Sequence, residues 1–321
     1  MNKIKYYFCI IVGLVLSLSA CIYEDCPANN GASETNLKIL FFYDEENEIE
    51  TIPADELDTA ILYVFDSNNR LVNFCPISKP KLNFVYDNLL SLDPEKYVFV
   101  VWFNAQDPYL ITPSIENLVI GTTLKNQGLF SLTIPANQMV SAGAGLPRSL
   151  HGREEATIDS IENLVRIPVR QNSNRINFTV KGLLPSTDIY RFAIEDDNGK
   201  YDFENDFAPC PRFSYVTDVQ NSPTQDLKAS LTVLQLAETR SPKLSIKNLT
   251  SGETLFPGSS YVTDNLIDII GIRYPGNDFR KRHVYDVEIK IEYNDDPELG
   301  GVEIWITGWE PDSSKVKLTP W

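Results

Sequence analysis

Alternation with a period of two residues constrains this chain more than any other feature. In "HVYDVEIKIEY", residues 283–293, Tyr285, Val287, Ile289, Ile291 and Tyr293 alternate with Asp286, Glu288, Lys290 and Glu292. Successive side chains of an extended backbone point to opposite faces, so this spacing predicts an antiparallel strand with one buried and one wet face. "RINFTV" repeats it, with Ile176, Phe178 and Val180 against Asn177 and Thr179. So do "GLFSLTI" (Phe130, Leu132, Ile134) and "GVEIWI" (Val302, Ile304, Ile306). "YVFVVWF", residues 97–103, is apolar throughout and predicts a central strand covered on both faces.

Turn chemistry separates these runs. Asn198-Gly199 in "IEDDNGKYDF" predicts a type I′ hairpin, and Asn68-Asn69 in "FDSNNRLV" predicts the same device. Helical signals are few and short, at 53–57, 223–228 and 263–270. The expected fold class is all-β, mostly antiparallel and sandwich-like. "SAGAGLPRSLHGREEATIDS", residues 141–160, is rich in small residues and lacks alternation, which resumes at Leu164. A division there gives an N-terminal sandwich over 35–150 and a C-terminal one over 151–321, both of ordinary domain size.

The N-terminus carries a different signal. Lys3 and Lys5 precede an almost wholly apolar run from Tyr6 to Leu18, then Ser19, Ala20 and Cys21. The run falls short of the ~20 apolar residues that span a bilayer and reads as a secretory signal peptide. Leu18-Ser19-Ala20-Cys21 matches the bacterial lipobox. Cleavage is therefore expected between Ala20 and Cys21, with a diacylglycerol on the Cys21 thiol. Residues 1–20 are then the signal and 21–34 a lipidated tether. At roughly 0.8 kcal/mol per buried methylene, such a lipid makes attachment effectively permanent.

Charge narrows the partners. Removing residues 1–20 takes away two of the 28 basic residues and none of the 44 acidic ones, leaving a net charge of −18. Such a surface repels phosphate backbones, which argues against nucleic acid. It also repels anionic headgroups, so the lipid must do the anchoring. Beyond Cys9 and Cys21 the chain has Cys26, Cys75 and Cys210. They read as small buried hydrophobes, with one disulfide among them left open by the oxidising compartment of an exported chain.

Candidates for chemistry fail one by one. His151 and His283 are the two histidines, far apart and without a second ligand at metal spacing, so zinc is not expected. His283, beside Lys281 and Arg282, reads as a solvated loop residue. "SAGAGL" lacks the strand–turn–helix setting of a nucleotide loop, and no G-x-S-x-G elbow exists. Asp196, Asn198, Gly199 and Asp202 approach calcium-loop spacing. With Gly199 at loop position 6, however, Ile194 and Asn205 fill the end positions that need carboxylates. The acidic run 44–50 reads as a solvated loop. Paired carboxylates remain open as a hydrolytic alternative, but the expectation is no enzyme, no metal and no cofactor. Trp102, Trp305 and Trp309 could stack on sugars, although core packing is the default for aromatics at inward strand positions.

The order of motifs resembles a known family. Lipobox Cys21, "YEDCP", "LKILFFYDE" and "AILYVFDSNNRLV" resemble the start of the FimB/Mfa-type fimbrial anchor proteins of Bacteroidales. "LPRSLHGRE" and "NLVRIPVRQNSNRINFTVKGL" resemble that family's interdomain loop and the opening of its second domain. The resemblance implies two transthyretin-like β-sandwich domains in tandem, lipidation at the outer membrane and a place at the base of a fimbrium. Glu24-Asp25 resembles the surface-export signal of the same bacteria, which implies a body facing outward.

In such fimbriae, an arginine-specific protease removes the first strand of a shaft subunit, and the emptied groove accepts a strand from the next subunit. The implied partners are fimbrial shaft subunits, joined by strand addition to a protein that is monomeric in isolation. Here the first arginine of the chain is Arg70, and residues 44–58 hold eight acidic residues and no Arg or Lys. The first strand, 37–43, is therefore expected to stay, making this chain an anchor that terminates the fibre. A shaft or tip pilin and a glycan-binding surface lipoprotein are the alternatives. Val302, Ile304 and Ile306, with Val316 and Leu318 in "SKVKLTPW", are the candidate pilin-docking residues, because alternation is what an inserted strand needs.

Overall fold

β-branched and aromatic residues at alternate positions produce 20 strands among the described residues of the computed structural model. The structure describes residues 36–43, 56–87, 89–143, 146–159, 162–257, 263–293, 302–306 and 316–317. In chain order the first strands are β1 (Asn36–Tyr43), β2 (Thr59–Phe65), β3 (Leu71–Ser78), β4 (Phe84–Asp87), β5 (Lys96–Phe103), β6 (Tyr109–Thr112), β7 (Leu129–Leu132) and β8 (Met139–Ser141). Then come β9 (Leu150–Thr157), β10 (Glu162–Gln171), β11 (Ser173–Lys181), β12 (Ile189–Asp196), β13 (Lys200–Asp202) and β14 (Phe213–Gln220). The last are β15 (Leu227–Leu234), β16 (Lys243–Asn248), β17 (Thr254–Phe256), β18 (Val284–Tyr293), β19 (Val302–Ile306) and β20 (Val316–Lys317). Helix α1, Leu266–Arg273, is capped by Asn265, whose side chain accepts from the Ile267 N–H at 3.1 Å.

A seven-stranded sheet runs in the order β3-β2-β5-β9-β10-β1-β4. It curls. Phe41 of β1 and Phe103 of β5 sit three strand steps apart, about 14 Å in a flat sheet, yet their ring centroids are 5.4 Å apart. One face of the sheet thereby closes a core of its own, with Leu37, Ile39, Phe41, Leu62, Phe99 and Ile167 inside. The other face of β5 meets the three-stranded sheet β13-β7-β6, where Trp102 stacks on Phe130 at 4.3 Å. Both faces of β5 are thus buried, as its apolar sequence predicts. Two five-stranded sheets, β15-β11-β18-β19-β20 and β17-β16-β12-β14-β8, pack together, with Phe178 and Phe192 meeting at 5.5 Å.

The sheets do not divide at residue 150. β9 and β10 belong to the seven-stranded sheet, and the chain passes to the next sheet at Asn172. β8 crosses over to pair in parallel with β14, and β13 crosses back to pair with β7. Residues 150–157, expected to be loop, form a strand between β5 and β10. Gly152 hides that strand from pattern reading, because a Cβ there would lie 2.8 Å from the Pro168 carbonyl oxygen.

Several local expectations change. Asn198-Gly199 is not a hairpin tip: neither residue has positive φ, and β12 hands over to β13, which pairs with β7. Asn198 is fully buried, donating to the Leu234 carbonyl at 3.0 Å and accepting from the Tyr215 hydroxyl at 2.7 Å. The β2–β3 hairpin does form, but only Asn69 has positive φ, at 60°. Asp66 organises that loop, accepting from the amides of Asn68 and Arg70. Residues 223–224 make a turn closed by the Ser222–Gln225 bridge, and the expected helix there gives way to β15. β18 is antiparallel only to β19; its other neighbour, β11, runs parallel. His283 is buried, not solvated. Cys75 is disulfide-bonded and Cys210 is a free thiol, so the three cysteines are not all small buried hydrophobes.

Candidate assembly surface

β1 lies between β10 and β4 in the seven-stranded sheet. It pairs in parallel with β10 from Asn36↔Glu162 to Tyr43↔Val169, and antiparallel with β4 from Lys38↔Asp87 to Phe41↔Phe84. Alternation sends Leu37, Ile39 and Phe41 inward, each with no exposed surface. Burying three such side chains stabilises the sheet by roughly 5–9 kcal/mol before conformational entropy is counted. The outward residues hold the strand from the other side. Lys38 pairs with the Glu162 carboxylate, which raises the lysine pKa through the hydrogen bond and the charge. Phe42 lies under the Arg166 guanidinium at 5.3 Å. The position between β10 and β4 is filled by the first strand of the described residues.

The edge beyond β1 is β4, a four-residue strand with Phe84 and Val85 exposed. In the sheet β15-β11-β18-β19-β20, β19 pairs with β18 from Ile289↔Ile306 to Tyr293↔Val302. Val302, Ile304 and Ile306 therefore share one strand inside that five-stranded sheet. β20 adds outside it through Ile306↔Val316, which brings Val316 next to Ile306 at the sheet edge. Leu318, Trp309, Ala20 and Cys21 lie outside the described residues, as do the acidic run 44–50 and Cys26.

The remaining titratable candidates are structural. His151 is buried against Trp102 at 4.5 Å, with Nε2 3.3 Å from the Phe203 carbonyl, and burial lowers its pKa to about 4. It is a neutral packing residue. Asp196 has no exposed surface, and desolvation raises its pKa to about 7. Asp202 turns its carboxylate to the amides of Glu204 and Asp206 within its own loop. Among the described residues no group of three or more His, Cys, Asp or Glu could hold a metal.

A cleft of about 310 Å³ lies where β9 and β10 meet the 204–206 loop. Within it Arg153 Nε lies 2.6 Å from the Glu204 carboxylate, and no exposed aromatic lines it. Trp102 is wholly buried, so it is core and not a sugar platform.

A family model described as fimbrillin-A associated anchor proteins Mfa1 and Mfa2 matches residues 23–315. No curated protein sequence matches the chain. Among solved structures, the fimbrial anchor protein Mfa2 from Porphyromonas gingivalis superposes with a TM-score of 0.67 at 19% identity, covering 89% of this chain and 99% of that one. A candidate polysaccharide binding protein from Bacteroides thetaiotaomicron gives 0.67 at 19% identity, covering 86% and 97%. A candidate adhesin from Bacteroides ovatus gives 0.64 at 18%, covering 85% and 92%. At these identities the structural likeness is one of fold.

Proposed function

The chain belongs to the family of fimbrillin-A associated anchor proteins Mfa1 and Mfa2, and from that premise we propose that it anchors and terminates a fimbrium at the outer membrane. The lipid on Cys21 holds the body outside the cell, and shaft subunits join it by strand addition. The observation that carries this reading is the first strand itself, fully paired and apolar on its inner face. A subunit whose groove is filled from within accepts no strand there. The polymer ends on it.

Retention follows from charge. The segment 44–58 has no Arg or Lys and eight acidic residues, so a protease that selects a cationic side chain finds no cation there. Cleavage at Arg70 would fall in the β2–β3 hairpin and take two strands together. That would strip the sheet of far more than a groove. For docking, the outer edge of β20 and the residues that follow it are the proposed meeting point with a shaft subunit. Main-chain hydrogen bonds would supply the affinity and alternate side chains the register.

Two experiments test the proposal. Cys21→Ser should release the protein from membranes, and a variant that still pellets after a carbonate wash rules out the lipid. Solubilised protein should capture fimbrial shaft subunits, and deletion of 313–321 should weaken capture without unfolding the body. Full capture by a stable deletion variant eliminates the tail as the contact. Retention on immobilised polysaccharide without shaft capture would favour a glycan-binding lipoprotein instead.

A further inference from the structure

Three arginines converge on the cleft beside β9 and β10, in a chain whose net charge is −16. Strand register brings two of them there. Trp102 of β5 stands opposite His151 of β9, and His151 stands opposite Arg170 of β10, so the three side chains form a row on one face of the sheet. Phe130 covers Trp102, and the Phe203 carbonyl reaches His151, but Arg170 at the end of the row is exposed. Arg153 lies two residues along β9 from His151 and therefore on the same face. Arg280 comes from a turn beyond α1. There the Asp278 carboxylate accepts from the Arg280 amide at 2.9 Å, Phe279 is buried, and Asn174 Nδ2 donates to the Arg282 carbonyl at 3.1 Å.

The cleft has an excess of positive charge. Glu204 is engaged by Arg153 at 2.6 Å and also by Lys125, so the 204–206 loop sets one further carboxylate, Asp206, against Arg170 and Arg280. Its amides have unused hydrogen-bonding capacity. Gln171 is 5% exposed; its Nε2 donates to the Ser173 carbonyl at 2.9 Å, and its Oε1 has no partner. Asn205, which lines the same cleft, has an unpaired Oδ1. Asn172 follows Gln171 in the chain and accepts through its carbonyl from the Gln235 amide at 3.1 Å, yet neither its Nδ2 nor its Oδ1 is paired. Buried polar groups without partners are few in folded proteins and costly, so a ligand that brings hydrogen-bonding groups to this cleft gains what the chain alone forgoes.

We propose that the cleft binds a sugar acid, with the carboxylate of a uronate unit held by Arg170 and Arg280 and its hydroxyls paired with Gln171 and Asn205. This is a second site, and it does not depend on the anchor role. The guanidinium fork matches a carboxylate in plane and spacing. A hydroxyl both donates and accepts, which suits a lining of amides. No exposed aromatic lines the cleft, so a neutral sugar ring finds no face to stack on, and selection falls to charge. The volume of about 310 Å³ is at the small end of ligand pockets, which run from about 300 to 1,000 Å³, and it suits a short saccharide end. An acidic peptide would bring the carboxylate without the ring of hydroxyls.

The test is a titration of the full-length protein, solubilised in detergent, with glucuronate, followed by saturation-transfer NMR. Glucose supplies the hydroxyls without the carboxylate, and acetate the carboxylate without the hydroxyls. Both should bind about tenfold or more weakly than glucuronate. Arg170→Ala and Arg280→Ala should each weaken glucuronate about tenfold, the order expected for one charge-assisted hydrogen bond, and leave glucose unchanged. Arg280 is exposed on its turn, so that variant decides if the strand variant does not fold. Glucuronate that binds no better than glucose, or that binds both variants as it binds wild type, overturns the proposal. Acetate as tight as glucuronate overturns it in favour of a simple anion site, and an aspartate-rich peptide tighter than glucuronate in favour of protein docking. No binding of glucuronate at all overturns it outright.

Discussion

Truncating Phe41 to alanine tests whether β1 is part of the fold or merely laid against it. The ring is wholly buried and makes edge-on contacts with Phe103 at 5.4 Å and Tyr86 at 5.6 Å. Phe→Ala in a core typically costs about 3–5 kcal/mol, and each aromatic pair contributes about 0.5–1.5 of that beyond area. Two such pairs put Phe41→Ala toward the upper half of the range. Phe42 is the internal control. It is the next residue, half-buried on the outer face, with Arg166 as its partner at 5.3 Å. Losing an exposed cation–π contact and some area there costs roughly 1 kcal/mol. Chemical denaturation followed by near-ultraviolet circular dichroism reads both variants against wild type. Phe41→Ala should unfold at clearly lower denaturant, with Phe42→Ala near wild type. Equal effects, or a Phe41→Ala cost below about 1 kcal/mol, would refute the burial of β1 and the occupied groove built on it.

Other outcomes follow from single residues. Asp196→Asn should change the pH dependence of stability. The folded pKa is raised to about 7 from 3.8, so the wild-type contribution is fully present below pH 3.8 and lost as pH rises toward 7. The variant should therefore gain on wild type by up to ~1.4 kcal/mol per pH unit across that window. Thermal melts of the pair at pH 4.5 and 7.5 check this, and a constant difference would contradict it. Comparing the pair at each pH removes the opposing effect of His151, whose pKa is lowered to about 4, so that its contribution is lost as pH falls below 6.5. Asn198→Ala should destabilise by about 2–3 kcal/mol, because it removes the side-chain donor to the buried Leu234 carbonyl and the acceptor of the buried Tyr215 O–H, which keeps only the bond it accepts from the Leu234 N–H. EDTA should leave the melting temperature unchanged within a degree or two; a larger drop would reveal a metal bound to the native state.

How far the sequence could be read depended on whether each signal was local. β11 and β18 were legible because their inward residues alternate strictly, and β5 because it is apolar at nearly every position. β9 was not, since close packing replaces an apolar inward residue with Gly152 and the strand then runs into Arg153, Glu154 and Glu155. Asn198-Gly199 has the composition of a turn, but tertiary packing buries it, with Gly199 against Phe213 and Cys210. Parallel pairing of β1 with β10 and of β11 with β18 joins segments more than 100 residues apart, a distance over which alternation carries no partner information. For the assembly surface, the motif order and the missing cations in 44–58 pointed to a retained strand. The filled positions of Leu37, Ile39 and Phe41 needed the structure. The disulfide at Cys75 had no sequence signal beyond the cysteine itself, because pairing is a matter of proximity.

Retention of the first strand is the central claim, and N-terminal sequencing with intact mass of the reduced protein from isolated fimbriae tests it most directly. A chain beginning at a lipid-modified Cys21 and carrying β1 is the predicted result. A mature chain beginning anywhere between residues 44 and 71 would contradict it and make this a shaft or tip subunit.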